Sequence, residues 1–299
     1  MGLFFNVILP IILVFASGFI LQRIRVMDVR TLSSVSIYIL SPALVFINLS
    51  EAEFDAGYII IVIFMFFLFF ATVLINKILS MIFKWTPSVE SAAILSTGFM
   101  NSGNYGLPVV LFSVGSEALP YAVFIMVVQS MMNNFFGVYY ASRSTSGMRR
   151  AVLNIFKMPA TYAAILAFLF QGFSWGPIPE PIHSTISMVG DAAIPVMMIM
   201  LGMQLASIVS LKMNWQVLIS SVSLKMFGAP LIATAFIAVV DMDPIVATVI
   251  LIISAMPTAA TTTMYAIEFD TEPDLVSSIT LFGTLISVVS ITVLLNFIS

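Results

Sequence analysis

Asn101-Ser-Gly-Asn-Tyr-Gly-Leu-Pro108 sets two asparagines, two glycines and a proline inside a segment otherwise apolar enough to cross a lipid bilayer. In hydrocarbon each unpartnered backbone group costs several kcal/mol, so a spanning chain stays helical unless the break is buried in protein or lines a wet cavity. Pro108 removes a backbone donor and clashes with the preceding turn, at a cost of about 3 kcal/mol in a helix interior. It also biases Leu107 toward extended geometry. Gly103 and Gly106 relax the chain, while Asn101, Ser102 and Asn104 supply groups for the freed carbonyls or for a ligand. The residues after Pro108 are expected to begin a new half-helix. Its amino end would carry partial positive charge and free N–H groups, which suit a carboxylate.

The rest of the chain places this break in a membrane. Apolar residues make up 61% and charged residues 8%, against roughly 25% charged in a soluble domain. Apolar runs of about 20 residues recur throughout. They define an all-α polytopic membrane protein with ten transmembrane helices, at 4–22, 31–50, 57–82, 88–115, 119–140, 158–173, 182–207, 215–239, 244–267 and 274–298. The amino terminus reads as the first span rather than a cleaved leader. A net charge of −3 offers no basic surface for nucleic acid, and zero cysteines excludes thiol catalysis and cysteine-ligated metal.

Orientation follows from the cations. Arg23, Arg25, Arg30, Lys77, Lys84, Arg143, Arg149, Arg150, Lys157 and Lys212 all fall on one side, ten of the eleven basic residues. The positive-inside rule makes that side cytoplasmic and puts both termini outside a cell (inner) membrane. Residues 141–157 then form a cytoplasmic linker between a first five-helix repeat, 1–140, and a second, 158–299. Pro42 in span two is answered by Pro195 in span seven, and Pro108 in span four by Pro257 in span nine, at offsets of 153 and 149 residues. Because five is odd, the second copy is inverted, as in many transporters. Pro42 and Pro195 are expected hinges or kinks. Pro257, Thr258 and Thr261 are expected to repeat in span nine the break seen in span four.

Two ionisable residues are expected near mid-depth, Asp191 in span seven and Lys225 in span eight. Such charges are costly and tend to pair or to line a pathway, so they are coupling or gating candidates, with a structural ion pair as the bland alternative. Gln129, Asn133 and Gln204 are weaker cavity-lining candidates, for which interhelical hydrogen bonding is an equal explanation. An aspartyl protease needs two carboxylates in one site, and a metalloprotease needs more ligands than one histidine and no cysteine supply. A non-enzyme is expected. A membrane-embedded receptor or regulatory protein remains the alternative to a carrier.

Four segments carry a family resemblance. Ser36-Ile-Tyr-Ile-Leu-Ser-Pro-Ala-Leu-Val-Phe46, Gly98-Phe-Met-Asn-Ser-Gly-Asn-Tyr-Gly-Leu-Pro-Val109, Gly190-Asp-Ala-Ala-Ile-Pro-Val-Met-Met-Ile-Met-Leu-Gly-Met-Gln-Leu-Ala206 and Leu224-Lys-Met-Phe-Gly-Ala-Pro-Leu231 resemble the auxin efflux carrier family. That family includes PIN-type auxin exporters and bacterial malate and malonate permeases, and shares a superfamily with bile-acid sodium symporters. The resemblance implies broken crossover helices in spans four and nine, meeting near Pro108 and Pro257, within a transport unit. It implies a scaffold of spans one, two, six and seven, a homodimer, and elevator-like alternating access for a small organic anion. Asn101 and Asn104 match the asparagine that holds the substrate carboxylate, with Gly106 and Pro108 beside them. No asparagine or glutamine adjoins Pro257, so that side would rely on backbone N–H groups and threonines. No acidic residue adjoins either proline, which favours proton coupling or uniport over a sodium-coupled symporter. No other cofactor is expected.

Overall fold

The computed structural model describes residues 4–142, 158–173, 176–208 and 214–298. Residues 143–157, almost all of the expected linker, lie outside the described residues, as does Lys212. Among the described residues, seven helices are long and apolar enough to cross a membrane: α1 (Phe4–Arg25), α2 (Val29–Ser50), α3 (Ala56–Phe83), α6 (Ser116–Ala141), α8 (Glu180–Ala206), α9 (Trp215–Val239) and α12 (Pro273–Ile298). The other three expected spans are not long helices. Span six is α7 (Pro159–Gly172), whose 14 residues reach only about 21 Å. Span four comprises α4 (Pro87–Gly98), an extended stretch, a wide turn Ser102–Gly106 and α5 (Leu107–Ser113). Span nine comprises α10 (Pro244–Ser254), a second irregular stretch and α11 (Ala260–Glu268). No strand occurs among the described residues.

Prolines leave a recurrent mark on these helices. Four of the five π-helical turns among the described residues, Phe4–Ile8, Ser36–Leu40, Ser102–Gly106 and Leu224–Gly228, end two residues before a proline, at Pro10, Pro42, Pro108 and Pro230. Proline cannot bond the carbonyl four residues earlier, and its ring collides with it. That carbonyl lies within the wide turn in every case, where the larger loop moves it aside. Pro42 therefore leaves α2 continuous. In α8 the break is sharper: Ala192 is a one-residue turn three positions before Pro195.

The helices pack in two groups joined by α6. In one, α1 runs along α8 while α2 packs on α7 and α8. In the other, α9 packs on α3, α4, α10 and α12, and α12 also meets α4 and α11. The α1/α8 seam is closed by glycine on both sides. A Cβ on Gly18 would lie 2.1 Å from the Ile199 carbonyl oxygen, and one on Gly202 would lie 1.9 Å from that of Phe15. Helix ends are satisfied by side chains from neighbours. The Gln171 amide on α7 lies against the carbonyls of Leu49, Ser50 and Ala52 at the end of α2, which would otherwise be orphaned. At the start of α2, the Arg30 N–H and the Thr31 hydroxyl donate to Asp28 and hold its carboxyl below the usual range.

Candidate functional site

The interruptions of spans four and nine meet. Met100 and Thr258 form an isolated antiparallel bridge. The Asn101 N–H donates to the Pro257 carbonyl at 2.8 Å, and the Ala259 N–H donates to Phe99 at 3.1 Å. This contact corrects the expected position of the span-four break. Helical structure resumes at Ser102, not after Pro108, and the non-helical residues are Phe99 to Asn101. Pro108 sits in the first turn of α5, where the wide turn before it absorbs the ring, so no second break is needed. Gly106 lies in that wide turn and donates its N–H to the Asn101 carbonyl at 2.9 Å. Its missing side chain leaves room for Ile253 of α10, whose Cδ1 is 2.6 Å from where a Cβ would be.

Two of the half-helices, α4 and α11, are tied down from outside their own span. At the carboxyl end of α4, the Thr258 hydroxyl donates to the Ser96 carbonyl at 2.6 Å, and Lys225 Nζ donates to the Thr97 carbonyl at 3.0 Å. Asn76 of α3 donates to the Thr97 hydroxyl at 2.7 Å. On the far side, Asn133 of α6 donates to the Thr261 hydroxyl at 2.6 Å, and Tyr265 of α11 donates to Asn134 at 3.0 Å. Asn76 and Thr97 were not singled out by sequence reasoning. A lone polar residue in an apolar helix gives no sign of its partner.

Several buried polar atoms have no partner. They include Asn101 Nδ2, both amide atoms of Gln129 and Asn133 Oδ1, on residues that are 5%, 3% and 5% exposed. Gln129 and Asn133 are four residues apart and share a face of α6. The Ser102–Gly106 turn packs against that helix, with Met126 over Gly103. Asn104 is only half buried. The amino ends of the Ser102 and Ala260 half-helices thus converge near unsatisfied amides. Buried polar groups are nearly always bonded, so this arrangement has unmet hydrogen-bonding capacity.

Two cavities lie toward opposite ends of α2 and α8. One, of ≈ 400 Å³, is lined by Arg30, Gln204, Ala260, Thr263, Asp274 and Thr280, and Gln204 Oε1 is unpartnered. The other, of ≈ 490 Å³, is lined by Asn48, Glu51, Ser187, Asp191, Pro195 and Met198. Asp191 is exposed, with Ser187 at 3.4 Å its hydrogen-bond neighbour. It does not pair with Lys225, which is buried against α4. The two coupling candidates are therefore separate features. Tyr105 is wedged edge-on against Phe15 at 5.1 Å and receives a hydrogen bond from Ser287 at 3.3 Å.

A bundle of apolar helices, with a polar contact of two interrupted segments inside it, defines a multi-pass membrane protein. The chain belongs to the membrane transport protein family, the auxin efflux carrier family, which matches it over residues 3–147 and 141–295. Among curated relatives, an uncharacterized transporter of Methanocaldococcus jannaschii is 27% identical over 187 residues, covering 59% of this chain and 60% of that protein. An uncharacterized transporter of Methanothermobacter thermautotrophicus is 26% identical over 206 residues, 66% of this chain and 67% of that protein.

Proposed function

We propose that the protein is a secondary carrier of a small organic anion, whose carboxylate binds where the two interrupted segments meet. The observation that carries this reading is the unpartnered, buried Asn101 Nδ2 beside two converging helix amino ends. Both features favour negative charge. In this reading spans four and nine are the crossover helices of two inverted five-helix repeats, 1–140 and 158–299. The group α1, α2, α7 and α8 is the scaffold and dimer-forming unit, and the remainder slides against it as an elevator. The cavity at Arg30 faces the cytoplasm and the one at Asp191 the outside, with both termini outside. Gln129, Asn133 and Thr261 line the path from the α6 side, and Gln204 lines the cytoplasmic cavity. Coupling is to protons, or absent, rather than to sodium.

A thermal-shift screen of mono- and dicarboxylates tests binding directly, since a ligand at 100 times its Kd adds about 2.7 kcal/mol of apparent stability. Counterflow of the best labelled binder into proteoliposomes then tests transport. Binding without counterflow would make the protein a receptor. Asp191 is the proton-coupling candidate in this reading, so Asp191→Asn is expected to flatten the pH dependence of uptake. Its exposure predicts a stability change within about 0.5 kcal/mol. An unchanged pH profile removes the residue from coupling.

A further inference from the structure

Among the described residues, Lys225 is the one charged side chain sealed inside the bundle, at 1% exposure. It projects from the wide turn that precedes Pro230 and donates to the Thr97 carbonyl at 3.0 Å. No carboxylate among the described residues meets it. Its surroundings are neutral polar groups: Asn76, which holds the Thr97 hydroxyl at 2.7 Å, and Ser221, one turn earlier on α9. Asn76 Oδ1 and Ser221 Oγ are themselves buried without partners. An ammonium removed from water is costly unless an anion or several acceptors replace its hydration. One carbonyl at the negative end of α4 replaces only part of it. An ammonium at this position is thus under-compensated. It is held four residues before Asn101, on helices that pack together as α3, α4 and α9.

We propose that Lys225 is a built-in counter-charge for the transported anion, so that the moving unit loaded with a monocarboxylate is neutral overall and returns empty with one positive charge. This inference rests on the carrier reading of the crossing. Its basis is low-dielectric electrostatics: charges in a dry interior attract over distances at which water would screen them. A carboxylate docked at Asn101 completes the compensation that Thr97 begins. Monocarboxylates are matched by the single ammonium, whereas a dicarboxylate leaves one negative charge to cross. Exchange uses only loaded crossings, so for a monocarboxylate it is blind to membrane potential. Net efflux requires the empty return and is not. A charge crossing the whole of a potential of about 100 mV changes an equilibrium about fifty-fold.

The test uses the full chain in proteoliposomes, with labelled pyruvate, lactate and indole-3-acetate compared with malonate and malate, under potentials set by potassium and valinomycin. The unmodified protein is expected to exchange a monocarboxylate at the same rate with and without a potential, while its net efflux changes several-fold. Lys225→Met is expected to make that exchange potential-dependent, and Lys225→Arg to keep it blind. Should Lys225→Met fail to fold, the unmodified protein and Lys225→Arg still decide. Potential-dependent monocarboxylate exchange by the unmodified protein overturns the counter-charge and leaves the carrier intact. So does potential-blind exchange in a folded Lys225→Met. Exchange of dicarboxylates alone, blind to potential, also overturns it. If no probe is exchanged or shifts the melting temperature, the carrier reading itself fails and the inference with it.

Discussion

Gly202→Leu is expected to prevent assembly of the bundle or to lower its stability by about 3 kcal/mol or more, at or above the upper end of overpacking costs. A Cβ on Gly202 falls 1.9 Å from a backbone oxygen of α1. Neither partner is a flexible side-chain tip that can swing away. The reciprocal contact at Gly18, 2.1 Å from the Ile199 oxygen, means that α1 and α8 touch backbone to backbone along this stretch. In lipid, where no hydrophobic force draws helices together, such close approach supplies the dispersion contacts that hold a pair. Forcing the helices apart at residue 202 therefore loosens neighbouring contacts as well. Gly172→Leu is the control, because a Cβ there meets nothing within 4 Å. Size-exclusion profiles and thermal melts in detergent compare the two. A Gly202→Leu protein as monodisperse and as stable as its parent would show that the seam is not packed in this way.

What could be read in advance depended on whether the cause was local. The span 57–82 lies within one residue of Ala56–Phe83 at each end, and 274–298 within one of Pro273–Ile298. Both are apolar runs bounded by turn-forming or charged residues, so length and composition delimit them. The interruption between Asn101 and Pro108 was legible as a break for the same reason. Its register was not. Proline marks where a helix loses a donor, but the wide turn ahead of Pro108 solved that problem within the helix, and the chain opened seven residues earlier. What opened it there is the bridge to Thr258, a contact across 158 residues. The partners of Lys225, Asn133 and Gly202 also lie far away in the chain. Depth in adjacent spans points to Asp191 as a partner for Lys225, and the structure supplies the Thr97 carbonyl instead.

Asn101→Ala should lower carboxylate affinity by about ten- to a hundredfold, since a hydrogen bond to a charged group is worth about 1.5–3 kcal/mol. Combined with Asn104→Ala, it should abolish measurable binding. The distinguishing expectation concerns stability. Asn101 ties the two interrupted segments together through its backbone, by its N–H to Pro257 and its carbonyl to Gly106, and alanine keeps both bonds. What alanine removes is a buried donor with no partner, a group that costs the ligand-free protein about 1–3 kcal/mol. The variant should therefore melt at the same temperature as its parent or higher, while failing to respond to the carboxylate that raises the parent's. Asn104, half buried in the turn, should show a smaller loss of affinity alone. A structural asparagine would behave the other way, with lowered melting and unchanged affinity, and that result would remove Asn101 from the site. Opposite signs for stability and binding are what a site held open for an absent ligand requires, because the unmet hydrogen bond is a cost until the anion arrives.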